Sequence, residues 1–265
     1  MTQASAMLAP FQRLKFQATS RTHAGAVRAH NEDATLARSE LGLWAVADGM
    51  GGHRQGEVAS ALAVQALEGV RAHSTGYHLL EDVRGRLGQV NLELIERAAR
   101  NAPEGPIGAT VVALVAFDEY FACLWAGDSR AYVFGKQKGL KRITRDHTLV
   151  EALQDGPSGS RTDRETPRLR GVVTRALGVA PILELDLADG AIFAGDVFLL
   201  CSDGLTNALS DEELANAMSC DNLDAAADKL LKIALERLAA DNVSFVLIWV
   251  VAENDPTRPR QNGTC

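Results

Sequence analysis

The order in which strand-like and helix-like segments follow one another most constrains the fold of this chain. Short apolar runs rich in Val, Leu, Phe and Trp are typical of strands, because their length and side chains suit a pleated sheet. Two segments with helical spacing precede most of these runs, and two more follow them before a last strand. This order differs from the βαβ alternation of a doubly wound sheet, so it predicts an α+β fold with antiparallel sheets covered by helices. The predicted strands are Leu41–Ala47, Thr110–Phe117, Tyr120–Ala126, Arg130–Phe134, Asp196–Cys201 and Val243–Val251.

Apolar residues at spacings of three and four predict the helices. In the first, Glu57–His73, this spacing places Val58 and Leu62 on the face toward the core. Ser210 begins a capping box with Glu213 and so marks the start of a later helix. No linker or repeat divides the chain, and we expect a single domain over residues 1–265 with frayed ends. The other predicted helices are Tyr77–Arg100 and Asn222–Ala240.

Composition narrows the class of protein. The chain has 265 residues and a net charge of −7, which argues against nucleic acid as the main partner. The longest apolar run, Val111 to Phe117, is too short to cross a membrane, and the first sixteen residues lack the apolar stretch of a signal peptide. The four cysteines form no CxxC pair and are interpreted as reduced thiols. We therefore expect a cytoplasmic protein without a zinc site.

Four aspartates stand at the ends of apolar runs. Asp48 ends LGLWAVA, Asp203 ends DVFLLCS, and Asp128 follows FACLWAG. The pair Asp241-Asn242 directly precedes the run VSFVLIWVV. A carboxylate at the mouth of a buried strand is costly to desolvate unless a positive charge pairs with it. No matching set of lysines is evident, so the pattern favours hard divalent cations such as Mg²⁺ or Mn²⁺, which prefer oxygen ligands.

Each of these features also has a simpler interpretation. Scattered aspartates often mark turns, which is how we interpret the Asp-Gly pairs at Asp155 and Asp189. Arg28, Glu32 and Asp33 lie within six residues. They could form a surface salt-bridge cluster, or they could combine a guanidinium fork for phosphate oxygens with outer-shell metal acids.

Seven short motifs follow one another along the chain. They are Arg28-x-x-x-Glu32-Asp33, Asp48-Gly49-Met50-Gly51-Gly52-His53, Gly108-Ala109-Thr110, Gly127-Asp128-Ser129-Arg130, Thr174-Arg175-Ala176-Leu177-Gly178, Ser202-Asp203-Gly204 and Asp241-Asn242. In this order they resemble the motif set of the type-2C metal-dependent protein phosphatases, the PPM family, in their bacterial stand-alone form. The resemblance covers about residues 18 to 251 and implies a central antiparallel β-sandwich flanked by helix pairs, in four α/β/β/α layers.

The resemblance also implies a set of metal ligands. Asp48 matches the carboxylate that bridges two ions, and the carbonyl of Gly49 matches a ligand of one of them. Asp203 and Asp241 match the remaining ligands of the second site, and Asp128, with Asp203, matches a third site. The family therefore implies two to three Mn²⁺ or Mg²⁺ ions per chain.

Other residues match positions around the metals. Glu32 and Asp33 match outer-shell acids that act mainly through metal-bound water, and Arg28 matches the arginine that binds the substrate phosphate. Eukaryotic members carry a proposed general acid, His, where this chain has Met50. His53 is the nearest titratable candidate for that role, although metal-bound water is the alternative we favour.

The segment from about 149 to 172 matches the variable flap beside the active site. Its residues Arg161, Arg164 and Arg168 are interpreted either as a solvated loop or as contacts for acidic phosphopeptides.

The resemblance implies hydrolysis of phosphoserine and phosphothreonine on proteins, opposite a serine/threonine kinase, by a monomer that binds neither nucleic acid nor membrane. Two alternatives stay open at this point. One is a phosphatase of small-molecule phosphoesters, and the other is a binding module that kept the fold and lost the metals.

Overall fold

In a computed structural model, residues 13–51, 55–100, 107–154, 169 and 171–253 are described. These residues form two antiparallel sheets of five strands each. The first sheet has the order β1-β10-β9-β6-β7 and the second has the order β2-β3-β4-β5-β8. The strands are β1 Leu14–His23, β2 Asp33–Arg38, β3 Leu43–Met50, β4 Gly108–Phe117, β5 Tyr120–Ala126, β6 Arg130–Gly135, β7 Gly139–Arg142, β8 Asp186–Ala191, β9 Val197–Cys201 and β10 Val243–Ala252.

Helices cover the outer face of each sheet. Ser210 caps α5 through the predicted capping box with Glu213, and the side chain of Asn222 caps α6. The expected α+β fold with a helix-flanked antiparallel sandwich is confirmed. The helices are α1 Gln55–Glu68, α2 Gly76–Arg100, α3 Leu149–Gln154, α4 Asp203–Ala208, α5 Asp211–Met218 and α6 Leu223–Glu236.

Strand β3 shows how the layers are built. Successive side chains point to opposite faces of a sheet, and both faces of β3 are buried. Leu43 and Ala45 pack with residues of α1 and α2, while Trp44 and Val46 pack against Phe198 of the other sheet. A separate apolar cluster joins the first sheet to α5 and α6. The core therefore has three apolar layers, and the middle one lies between the sheets.

Several sequence predictions were wrong in detail. Strands β1, β2, β7 and β8 were not predicted, because their residues are mostly half-buried or exposed and give a weaker apolar signal. Asp189 lies inside β8 opposite Ala122, so its interpretation as a turn is incorrect. Asp155 lies outside the described residues. In α1, Val58 is 40% exposed, and the buried face instead carries small residues such as Ala59 and Ala63.

The cysteines only partly follow expectation. Cys123 and Cys201 are buried free thiols, and burial raises the pKa of the Cys201 thiol to about 12. Cys220 is instead disulfide-bonded, which contradicts its interpretation as a reduced thiol. Among the helices that the structure describes, none has the length and apolar character needed to span a membrane.

Candidate functional site

The candidate site lies where the layer between the two sheets reaches one edge. Asp48 shares the face of Trp44 and Val46, since side chains of alternate residues point the same way. Asp33 of β2 is the direct cross-strand partner of Asp48, and Thr110 of β4 is its partner on the other side. Like charges directly opposite one another destabilise a sheet, so a pair of aspartates here requires a compensating feature.

Three more aspartates approach from other elements. Asp203 begins α4 directly after β9, Asp241 lies two residues before β10, and Asp128 lies between β5 and β6. The carboxyl groups of all three raise the pKa of Asp48 by electrostatic repulsion, as does that of Asp33. Both sheets therefore supply acidic side chains to one small region. The strand-end aspartates singled out in the sequence therefore lie close enough to influence one another electrostatically.

Desolvation and repulsion between acids both oppose ionisation of the carboxyl groups of Asp33, Asp48, Asp128, Asp203 and Glu32. Burial is the largest cause in every case, and it raises the pKa of Asp48 well above its usual range. The same effects raise the pKa of Asp33 to about 6 and that of Asp128 to about 7. Asp203 and Glu32 also have raised pKa values, for which burial is again the leading cause. A nearby cation would reverse this preference by favouring the charged forms.

One buried oxygen atom lacks any hydrogen-bond partner. Asp33 Oδ2 accepts a hydrogen bond of 2.8 Å from the hydroxyl of Ser202, but Asp33 Oδ1 is buried and accepts none. An unpartnered buried carboxylate oxygen costs free energy unless a ligand or water reaches it. Together with four other carboxylates, this oxygen fits the hard-donor set that Mg²⁺ and Mn²⁺ prefer.

The carboxylates converge without forming a finished ligand set. In the described part of the chain, no three His, Cys, Asp or Glu side chains are grouped closely enough to hold one ion. Several have protein partners instead: Asp203 Oδ2 accepts from Asn207 at 3.1 Å, and Asp241 Oδ2 accepts from Arg28 at 2.7 Å. Binding of an ion would therefore require small side-chain rotations that exchange these partners for the cation.

Most of these residues lie within a segment that matches a family model. The model described as protein phosphatase 2C matches residues 19–240. The chain belongs to the protein phosphatase 2C family. The match includes all the metal-site residues inferred from the motifs except Asp241, which lies one residue beyond its end.

Known 2C-type phosphatases resemble the chain over most of its length. The serine/threonine protein phosphatase PstP of Mycobacterium tuberculosis is 33% identical over 235 residues, which are 88% of this chain but only 44% of that protein. The structure of PppA, described as a key regulatory component of T6SS in Pseudomonas aeruginosa, is 38% identical with a TM-score of 0.82. It covers 89% of this chain and 98% of that one. The catalytic domain of PstP, solved in complex with two manganese ions, is 32% identical with a TM-score of 0.77, covering 90% and 99%.

Close backbone packing fixes the Asp48-Gly49 corner of this 2C-type site. The amide of Gly49 donates to the carbonyl of Glu32 at 3.0 Å, which joins β3 to the start of β2. A β-carbon at Gly49 would lie 2.1 Å from the carbonyl oxygen of Gly56 in α1. Only glycine fits between the helix and the loop, so the residue after Asp48 is constrained by sterics whatever its carbonyl binds.

Asn242 is a site residue whose role the sequence analysis missed. Its side-chain oxygen accepts from the amide of Glu32 at 2.8 Å, and its amide nitrogen donates to the carbonyls of Ala24 and His30. Asn242 thus fastens the loop that carries Arg28 to the start of β10. The sequence feature that could have indicated this role is that Asn242 is a polar residue directly before a strongly apolar run. The interpretation of that segment rested on its neighbour Asp241 instead.

Arg28 lies beside the acids rather than apart from them. Its guanidinium pairs with Asp241, and both side chains stay about half exposed to solvent at 54% and 40%. The pairing raises the pKa of Arg28, to which Glu32 and Asp48 also contribute. The structure therefore places a fixed positive charge at the solvent side of the acidic cluster.

Four of the candidate catalytic and flap residues lie outside the described residues. They are His53, Arg161, Arg164 and Arg168. The ends of the flap are described, and they join each other through α3 and the residues after Gly171.

Proposed function

We propose that this chain hydrolyses phosphoserine and phosphothreonine esters on proteins, using two to three Mn²⁺ or Mg²⁺ ions. The chain spans less than half the length of PstP, so the activity of that whole protein is not transferred to it. The proposal is argued from the residues of this chain. It rests on the family membership together with the acidic cluster at the edge of the inter-sheet layer. The single observation that carries it is the buried carboxyl group of Asp48, which is repelled electrostatically by those of Asp33, Asp203, Asp128 and Asp241.

The acidic residues of the proposal divide into metal ligands and outer-shell acids. Asp48 would hold two ions, with the Gly49 carbonyl as a further ligand of one, and Asp203 and Asp241 would hold the second. Asp128 and Asp203 would hold a third ion. The grouping is supported by the electrostatic coupling of Asp128 to Asp203 and of Asp203 to Asp241. The outer acids are Glu32 and Asp33.

When bound, the cations supply a lowered pKa for a shared water and positive charge for the phosphoryl oxygens. The chain's own residues supply orientation. Arg28 offers two parallel N–H donors to equatorial phosphoryl oxygens, where charge develops in the transition state. Ser202 holds Asp33 by its hydroxyl, and so fixes the direction of the free Oδ1 atom. His53 as a general acid, and Arg161, Arg164 and Arg168 as contacts for acidic peptides, remain predictions.

The physiological setting belongs to the same proposal. We propose phosphorylated proteins as substrates, an opposing serine/threonine kinase, and a monomer that acts in the cytoplasm. The acidic net charge of −7 supports proteins over nucleic acids as partners. A site that consists mainly of carboxylates and one arginine is suited to recognise the phosphoserine side chain itself, and not a large surface of the substrate protein.

The proposal is tested by replacing one ligand and measuring activity. Asp203→Asn should lower the Mn²⁺-dependent rate on a phosphopeptide by about 100-fold or more, because it removes a charge that holds the catalytic cation. The protein should remain folded, as shown by circular dichroism. Asp189→Asn is the matched control, because Asp189 also precedes a glycine but lies exposed on β8. Activity of Asp203→Asn within tenfold of wild type would contradict the metal assignment. Hydrolysis of small phosphoesters but of no phosphopeptide would contradict the protein substrate.

A further inference from the structure

The backbone of His147 takes part in the junction that joins the two ends of the flap. Its amide donates to the carbonyl of Gly127 at 2.9 Å, and its carbonyl accepts from the amide of Thr174 at 2.7 Å. The next pairing continues this junction, since Thr148 forms a β-bridge with Val173. His147 therefore lies where three parts of the chain meet: the entrance of the flap, its exit, and the β5–β6 connection.

The ring of His147 is held on two sides. Its Nδ1 atom accepts a hydrogen bond of 3.2 Å from the amide of Gly127, which fixes this nitrogen as the unprotonated one. The ring stacks on Trp125 with a centroid distance of 5.9 Å and an angle of 17° between the planes. His147 is only 8% exposed, so these contacts determine its orientation.

The other ring nitrogen of His147, Nε2, faces the ion pair between Asp186 and Arg175. The Nε2 atom lies 3.1 Å from Asp186 Oδ2, at ion-pair distance but without the direction of a hydrogen bond. Asp186 Oδ1 accepts from Arg175 at 2.8 Å. Arg175 follows Thr174 directly, so the exit of the flap is bound to His147 through both backbone and side chains.

Gly127 links this junction to the acidic cluster, because the next residue is Asp128. Gly127 has a φ of 118°, and a β-carbon there would lie 2.4 Å from the β-carbon of Thr110. The connection before Asp128 is thus confined on one side by Thr110 and held on the other by His147. Ser129, on the other side of Asp128, bonds to the Thr110 hydroxyl at 2.7 Å. The amide that bonds the His147 ring therefore belongs to the residue directly before Asp128.

We infer that His147 is a positioning residue that couples the base of the flap to the Asp128 carboxylate. The inference rests on the proposed function, because it gives Asp128 a cation to bind. His147 touches neither substrate nor cation in this arrangement; it acts through Gly127. Since coupling between two sites is reciprocal, cation binding at Asp128 and the position of the flap base influence each other.

The test is a double-mutant cycle read by calorimetric titration with Mn²⁺. His147→Leu removes both ring nitrogens, and Asp128→Asn removes the proposed ligand. We expect His147→Leu to weaken the loosest Mn²⁺ site by about tenfold, the usual effect of losing a residue that orients a ligand, and to leave the tightest site unchanged. In the Asp128→Asn background the same substitution should have no further effect, because residues that act through one another are not additive.

Two conservative variants separate positioning from simple packing. His147→Asn keeps an oxygen acceptor where Nδ1 lies, so it can still accept from Gly127, whereas His147→Gln places its amide where Nε2 lies. We expect Asn to restore most of the Mn²⁺ affinity and Gln to behave like Leu. This pair serves equally if the Leu variant does not fold.

Distinct outcomes identify which idea fails. Equal losses in the wild-type and Asp128→Asn backgrounds, or equal behaviour of Asn and Gln, would overturn the positioning role while the proposed function stands. Wild-type protein that binds no Mn²⁺ and hydrolyses no phosphopeptide would overturn the proposed function itself. An Asp128→Asn variant with unchanged Mn²⁺ affinities would overturn both the Asp128 assignment and the inference built on it.

Discussion

At the residue scale, the acidic cluster has an arrangement that suits metal binding but destabilises the protein without a metal. Asp33 and Asp48 are direct partners across two strands, and among the described residues the nearby guanidinium of Arg28 pairs with Asp241 instead. Burial and repulsion both oppose ionisation of these groups. Without a cation, such an arrangement lowers the free energy of unfolding, so the site should be a source of instability that metal binding removes.

This reasoning predicts a stabilising effect of a substitution that abolishes function. Asp48→Asn should raise the thermal midpoint in EDTA, because it removes a carboxyl group whose ionisation is opposed by burial and by its acidic neighbours, while keeping the side-chain shape. Added Mn²⁺ should then stabilise the variant much less than it stabilises wild type. Calorimetric melting with and without Mn²⁺ measures both effects, with Asp189→Asn as the control. A lower midpoint for Asp48→Asn in EDTA would show that the carboxylate contributes to the fold in some other way.

At the element scale, the sequence predicted the buried strands and the long helices but not the edges. Helix α2 begins at Gly76 instead of Tyr77, and β3 runs on through Asp48 and Gly49 to Met50. Apolar runs identify strands that are buried on both faces. They say little about β8, whose exposed and half-buried residues alternate without an apolar majority. The motifs located the acids, whereas the clamp formed by Asn242 requires three-dimensional contacts that spacing alone does not encode.

The packing of α1 on β3 provides a test at this scale. A β-carbon at Gly56 in α1 would lie 2.7 Å from the backbone of Gly49, so Gly56→Ala should destabilise the protein. The expected cost is about 1–3 kcal/mol, as for other overpacked sites. Gly85 in α2 is the matched control, because nothing lies within 4 Å of its β-carbon position. Gly85→Ala should stabilise by about 0.5–1 kcal/mol through helix propensity. Urea denaturation measures both, and equal effects of the two substitutions would contradict the close contact.

At the scale of the whole molecule, the site exists only because two sheets meet. Asp33 and Asp48 belong to one sheet, while Ser202 follows β9 and Ser244 lies in β10 of the other sheet. Ser202 reaches across to Asp33, and its hydroxyl also contacts the carbonyl of Ser244 at 3.3 Å. The order of elements in the sequence predicts a sandwich, and the motifs predict that the acids converge. The alignment of the two sheets determines which hydroxyl and amide groups bond to each acid. The local pattern of residues does not predict that alignment.

The raised pKa values of the cluster make overall stability depend on pH in a particular direction. Asp33 and Asp128 have folded-state pKa values of about 6 and about 7, against an ordinary value of 3.8. Between these limits the folded protein binds more protons than the unfolded chain, so its stability falls as pH rises. In EDTA, the thermal midpoint should therefore decrease between about pH 5 and about pH 8, whereas carboxylates with lowered pKa values titrate below this window.

Saturating Mn²⁺ should remove this decrease, because the cation favours the ionised carboxylates and competes with protons for them. The gain in midpoint on adding Mn²⁺ should then be larger at high pH than at low pH. Asp128→Asn should flatten the EDTA profile, since it removes the group whose pKa is raised to about 7. Melting curves across the pH range, with and without Mn²⁺, measure all three effects. A midpoint in EDTA that rises from pH 5 to pH 8 would mean that these carboxyl groups are already ionised and paired in the folded chain.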